Sequence, residues 1–344
     1  MKIRTTRSRL SLAAAGSLAL IGTMAISACG VSQDAANDST ASGSSAVCVG
    51  SASDSASAPS ELTLALVPSG DAKKLVDNVK PLEAALTQRL GIPVHGVITA
   101  DYQAAVEAIG SNQAQIGMLP SLQMSQACDK YGAKPTLQTL RKAKSSYAAQ
   151  LFTNDPAKYC KDTPAAGPNG MLYCNGTASG NGPAGLDQLA KVKGAKVAML
   201  SSASPAGYIF PVAALKAQNI AVEDLSPIKV TANDASVLAV YKGDAEVGFS
   251  YWDAREVVKK DNPDVGNKVV VFGLTDEIPN DGVSISSKLS AEWQQKISAA
   301  MLDYAKTPEG IAALTAIYQI TGLQPADPAS LKKTQDAAHT IGLG

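Results

Sequence analysis

The chain has 344 residues, with 30 Lys and Arg against 30 Asp and Glu, so its formal net charge is zero. That balance excludes a protein built to coat nucleic acid, which needs a clear basic excess. With 45% hydrophobic and 17% charged residues it is not a disordered chain, and its length allows about two domains of roughly 150 residues.

Lys2, Arg4, Arg7 and Arg9 open the chain with no acidic residue among them, and an apolar, small-residue run follows from about 10 to 26. A charged stretch, an apolar stretch and small residues before a break describe an export signal over 1–28. Interruptions by Ser, Thr and Gly argue against a membrane-spanning helix of roughly 20 apolar residues. The ending Ile26-Ser27-Ala28-Cys29-Gly30 resembles a bacterial lipobox, which makes Cys29 the expected lipidated first residue of the mature chain. From 29 to about 60 the sequence falls to Ser, Ala, Gly, Asn and Asp, a flexible tether with nothing to bury. Without the four leader cations the body carries 26 basic against 30 acidic residues.

Cys48, Cys128, Cys160 and Cys174 remain. An even count in an exported chain predicts two disulfides, for which three connectivities exist. Cys160 and Cys174 share one Gly/Asn/Pro-rich stretch, so a local clasp is the simplest pairing and leaves Cys48 for Cys128. No histidine lies near these cysteines and no C-x-x-C spacing occurs, which weighs against zinc.

The body then alternates strand and helix. Residues 62–67 read as a strand, 73–90 as a helix, 94–99 as a strand, and 102–109 as a helix opened by Asp101. A short strand at 115–118 leads to a helix near Pro120, with further strands at 134–139 and 147–152. After an irregular stretch at 154–185 come a strand at 195–200, a helix at 205–217, a strand at 228–231, a helix at 235–241 and a strand at 246–250. Strands at 269–272 and 283–286 precede helices at 291–305, 308–318 and about 329–341. Alternation on both sides of one irregular insert predicts two α/β lobes, with a ligand cleft beyond the carboxyl ends of the strands.

Catalytic chemistry is hard to place. His95 and His339 are the two histidines, and neither sits beside a nucleophile, which argues against a Ser-His-Asp site. Gly180-Asn181-Gly182-Pro183-Ala184-Gly185 matches G-x-G-x-x-G, but no strand precedes it, so it reads as loop punctuation. No nucleophile, metal site or phosphate loop supports an enzyme, and no cofactor is expected. Ser201, Ser202 and Ser204 precede a helix, so hydroxyls and backbone N–H groups converge at its positive end, which suits an anion.

Residues 60–330 resemble the phosphate/phosphite/phosphonate substrate-binding proteins of ABC importers. The segments carrying the resemblance include Leu66-Val67-Pro68-Ser69, Ala100-Asp101-Tyr102 and Ser204-Pro205-Ala206-Gly207-Tyr208-Ile209-Phe210-Pro211. Asn233-Asp234-Ala235-Ser236-Val237, Ile278-Pro279-Asn280-Asp281 and Thr307-Pro308-Glu309-Gly310 extend it. The resemblance implies a two-lobed type II periplasmic-binding-protein fold, with lobe I at 60–153 plus 270–344 and lobe II at 154–269. The expected crossings lie near 147–152 and 269–272.

It also implies a ligand set of Tyr102, Tyr147, Ser204, Ala206, Gly207, Asn233, Asp253 and Asp281, the two acids at positions that meet an amine in amine-bearing phosphonate binders. The chain departs from the family in two places. Pro205 and Ala206 stand where hydroxyl residues are usual, and Asn233 where histidine is frequent, so the anion has fewer donors and no histidine charge. The expectation is a monomeric lipoprotein on the outer face of the cell membrane, held by its Cys29 lipid. It would pass a small anionic solute such as phosphonate, phosphite or phosphate to an ABC permease. The rival expectations are a tethered sensor or interaction module without transport, or import of a solute without phosphorus.

Overall fold

Leu62, Leu64 and Leu66 enter one core while Ala65 and Val67 enter another, because alternate side chains leave a strand on opposite faces. A strand buried on both faces reads as a near-continuous apolar run, as 62–67 does. This computed structural model describes residues 47–343. The expected export signal, Cys29 and the first part of the tether lie outside the described residues.

The strands in chain order begin with β1 (Leu62–Leu66), β2 (Val94–Ile98), β3 (Ile116–Leu119) and β4 (Lys134–Leu140). Next come β5 (Ser146–Thr153), β6 (Ala165–Ala166), β7 (Leu172–Tyr173), β8 (Lys196–Met199), β9 (Ser226–Lys229), β10 (Val247–Tyr251) and β11 (Val270–Pro279). β12 (Gly282–Ile285) and β13 (Gly322–Pro325) close the series. They make two sheets, ordered β13-β4-β12-β3-β1-β2 and β6-β7-β11-β5-β10-β8-β9. In the first, β1 is parallel to β2 and β3, and β12 runs antiparallel between β3 and β4. In the second, β8 is parallel to β9 and β10, while β5 runs antiparallel between β10 and β11. Each sheet organises one half of the chain.

The chain leaves the first sheet through 141–145 and returns to it through 280–281. The sequence reading puts these crossings near 147–152 and 269–272, inside β5 and β11, which belong to the second sheet over their whole length. Apolar periodicity marks a strand but not the sheet it joins. At the first crossing, Arg141 and Lys144 exchange backbone hydrogen bonds, each of 3.0 Å. Between them Lys142 and Ala143 have φ of 50° and 62°, the left-handed region that Gly and Asn usually occupy in such turns.

The helix expected over 73–90 is two helices, Ala72–Asn78 and Lys80–Leu90. Pro81 sits in the first turn of the second, where its missing N–H is harmless, but its ring cannot continue a helix from Asp77. β13 escapes the sequence reading because Gly322-Leu323-Gln324-Pro325 is short, half-exposed and ends in Pro, as an edge strand can. The Gly-rich run lies against β11. A Cβ at Gly182 would stand 1.6 Å from the Thr275 carbonyl oxygen, and one at Gly185 would stand 2.0 Å from that of Phe272.

The described cysteines pair as Cys48–Cys128 and Cys160–Cys174. The first fixes the end of the tether on the first half. There Ser51 N–H donates to the Gly132 carbonyl (2.8 Å) and Ser53 N–H to that of Leu289 (3.0 Å). Its composition offers little to bury, yet the disulfide and these bonds hold its backbone over 48–53. The C-terminal Pro328–Thr340 helix joins both halves. Thr334 shares a 2.8 Å hydrogen bond with Ser121 in the first, and Lys216 in the second donates to the Thr340 carbonyl at 2.7 Å. Among the described residues no helix is long and apolar enough to cross a membrane.

Candidate functional site

A cavity of about 230 Å³ lies between the halves, beside the carboxyl ends of β1, β8, β9 and β10. Chain that leaves a strand end must turn, and at a parallel edge it turns into a helix N-terminus carrying unpaired N–H groups. Ser204 begins such a turn after β8. Its Oγ accepts from Gly207 N–H at 3.1 Å, and its carbonyl accepts from the N–H groups of Tyr208 (3.1 Å) and Ile209 (3.0 Å). The bond to Ile209 opens a wide, π-type turn over Pro205–Ile209 before the Phe210–Ala217 helix.

Tyr102, Tyr147, Ser204, Ala206, Asn233 and Asp281 all line this cavity. Gly207 does not. Its N–H is taken by Ser204 Oγ, and a Cβ there would come within 2.6 Å of the Leu200 side chain. The sequence reading made that N–H a ligand donor; the cap explains why it is already engaged. Ala206 remains, its N–H among the first-turn donors that no residue within the helix can satisfy.

Asp253 is the second departure. Its carboxylate accepts from Arg255 N–H (3.1 Å), Nε (3.0 Å) and Nη2 (2.7 Å), and from the Tyr173 hydroxyl at 2.5 Å. Asn169 adds a bond of 3.1 Å. Arg255 is fully buried and also donates to the Leu172 and Val269 carbonyls. Burial opposes the Asp253 charge, but the Arg255 and Tyr173 contacts outweigh it and hold the carboxyl below the usual range. Asp253 and Arg255 thus tie the turn after β10 to β7 and to Val269, just before β11, away from the cavity wall.

Asp281 reaches the cavity with a partner that the sequence reading omits. Arg141 Nη2 donates to its carboxylate at 2.6 Å, and Arg141 Nε donates to the Tyr318 carbonyl at 3.0 Å. The guanidinium also lies 5.8 Å from the centroid of the Tyr147 ring. Burial works against its charge, yet Asp281 raises its pKa further, so it stays cationic. A signal was present in the composition, since the body holds just three arginines, Arg89, Arg141 and Arg255, among many lysines. Arg is the residue suited to half-buried, forked recognition of carboxylate or phosphate.

Four tyrosines complete the wall: Tyr102, Tyr147, Tyr251 and Tyr318. Burial pushes all four hydroxyls above the ordinary tyrosine range, and Asp281 pushes the same way. For Tyr102 the Ser204 and Asn233 side chains oppose burial without cancelling it. The phenols stay neutral and keep an O–H to donate. The Tyr318 O–H donates to the Val67 carbonyl at 2.6 Å.

Asn233 and Gln123 both hydrogen-bond across the cleft, and the Asn233 backbone N–H adds a longer contact of 3.4 Å to the Ser69 carbonyl. Asn233 Nδ2 donates to the Ser69 carbonyl at 3.0 Å while its Oδ1 accepts from Ser250 Oγ at 2.8 Å. Gln123 Nε2 donates to the Ala203 carbonyl at 3.0 Å. Neither histidine lines the cavity, and among the described residues no cluster of His, Cys, Asp and Glu is placed to hold a metal.

A family profile described as "ABC transporter, phosphonate, periplasmic substrate-binding protein" matches residues 64–331. The phosphonates-binding periplasmic protein of Escherichia coli (strain K12) is 22% identical over 255 residues, which cover 74% of this chain and 69% of that protein. A binding-protein component of an ABC phosphonate transporter from Pseudomonas aeruginosa superposes with a TM-score of 0.66 at 17% identity. The match covers 80% of this chain and 85% of that one. PhnD1 from Prochlorococcus marinus (MIT 9301), solved in complex with methylphosphonate, gives a TM-score of 0.69 at 14% identity, covering 83% of this chain and all of that one. The structural likeness establishes a two-lobed α/β fold.

Proposed function

This chain belongs to the family of periplasmic substrate-binding proteins of phosphonate ABC transporters, and we propose that it captures a small oxyanion, such as a phosphonate, phosphite or phosphate, between its two halves. The observation that carries the reading is the composition of the cavity wall. Arg141, the Ser204 hydroxyl, the Ala206 N–H and neutral tyrosine hydroxyls bring donors from both halves to one space. An oxyanion needs donors converging from several directions, and helix N-termini and guanidinium groups supply them at low desolvation cost.

The mechanism follows from where those donors sit. Tyr102 and Arg141 belong to the first half and its crossing, Ser204 and Ala206 to the second. A solute touching both sets favours the arrangement that brings them together, with Asn233–Ser69 and Gln123–Ala203 as latches across the cleft. The lobes that close in this proposal divide where the sheets divide, at 141–145 and 280–281. The closed form is then presented to an ABC permease, and the protein works as a monomer held to the outer face of the membrane through a lipid on Cys29.

A thermal-shift screen of the exported protein tests the reading with methylphosphonate, aminoethylphosphonate, phosphite, phosphate and sulfonates. At least one phosphorus oxyanion is expected to raise the melting temperature, as any ligand far above its dissociation constant does. No shift with any of them overturns the oxyanion assignment. Ser204→Ala should weaken whichever ligand binds, and unchanged affinity removes Ser204 from the site.

A further inference from the structure

Building on the oxyanion reading above, we infer that the solute carries a ring-sized organic substituent on its anionic head. The substituent lies in the arm of the cavity between the Ala72–Asn78 and Pro308–Tyr318 helices. Space is the first observation. The cavity measures about 230 Å³, whereas an apolar cavity of about 150 Å³ is enough for benzene. A single tetrahedral head leaves most of it unfilled.

The lining is the second. Beyond the cluster around Ser204 and Asp281, the cavity continues along Leu75, Asn78, Ala316 and Ile317. Leu75 and Ile317 are buried, and Asn78 Nδ2 ties the two helices together through the Ala316 carbonyl at 2.6 Å. Tyr318, next in sequence to Ile317, also lines the cavity. Aliphatic walls and aromatic faces reward an organic ring and give nothing to a bare ion.

Charge is the third. Asp71, Asp234 and Asp281 outnumber Lys74 and Arg141 around the cavity, so its wall is net negative. Pro205 lacks an N–H and Ala206 a hydroxyl, which thins the donors of the turn as well. An anion bound by its head alone meets that unfavourable field with few donors. Apolar contact with a substituent supplies the missing affinity.

Titration calorimetry on the full, disulfide-bonded chain tests this with methylphosphonate and phenylphosphonate, which share a head and differ in the ring. Phenylphosphonate is expected to bind at least about tenfold tighter. Equal or weaker binding of phenylphosphonate beside measurable methylphosphonate overturns the inference and leaves the oxyanion reading standing. No binding of either overturns both. Ala316→Trp, a change at an exposed helix position, fills the arm and is expected to bring the ratio of the two affinities toward one. A preference that survives this substitution overturns the inference, because the ring then lies elsewhere.

Discussion

Asp281 compensates Arg141 directly, across 2.6 Å, at the point where the second crossing meets the first. An acid expected to meet an amine is therefore already paired, and in the proposed site the cation beside it would meet the anionic head. Arg141→Met is expected to weaken oxyanion binding by roughly tenfold to a hundredfold, the range for a hydrogen bond to a charged group. Asp281→Asn keeps an acceptor for Arg141 but removes the opposing charge, so oxyanion affinity should rise severalfold. Calorimetry on the two variants checks the pair; a loss of affinity in Asp281→Asn makes Asp281 a ligand in its own right.

Asp253→Ala is expected to destabilise the fold by about 3–5 kcal/mol, because it leaves the buried Arg255 charge without its partner. Oxyanion affinity of the folded protein should not change. Urea unfolding and calorimetry on the same preparation separate the two effects, and lost affinity at intact stability returns Asp253 to the binding site.

The same carboxylate sets an acid limit. Its folded pKa lies below the unfolded one, near 3.9, so between the two values the unfolded chain binds the extra proton. The contribution is complete above about pH 4 and is lost as pH falls through the folded value. Asp253→Asn should therefore show a flatter loss of stability on acidification, read from unfolding midpoints measured between neutral and acidic buffers.

Ala143→Gly should stabilise the protein by about 0.5–1 kcal/mol, since glycine adopts the left-handed φ of 62° without the cost of a Cβ. A melting temperature that stays the same or falls shows that restricting the unfolded chain at this position matters more than the turn.

The two disulfides close loops of different length, with sequence separations of 14 and 80. Replacing Cys160 and Cys174 by Ala should cost about 3 kcal/mol, and replacing Cys48 and Cys128 about 4–5 kcal/mol, if chain entropy governs. Denaturant midpoints of the two double variants decide the order.

Much of this was legible in the sequence for local reasons. The serines before the helix at 205–217 mark a helix-end position by local chemistry, whereas Tyr102 and Asn233 are reached through the family resemblance. Asp253 comes from the resemblance as well, and the buried Arg255, two residues further on, takes its carboxylate instead. Arg141 was not legible because its place depends on a left-handed turn formed by Lys142 and Ala143, residues that announce no such turn. The boundary between the halves was hidden for a similar reason: β5 and β11 look like any other strand until their partners are known.

If the halves close as proposed, the C-terminal helix would bear on rates more than on affinity. It is fastened to Ser121 on one side and to Lys216 on the other, so in the proposed opening, drawing Ser204 away from Tyr102 would require one of those fastenings to slide or part. In the proposed cycle a brace of this kind would slow the escape of a captured solute as much as the entry of the next. Shortening it would quicken both rates, leaving their ratio nearly as it was.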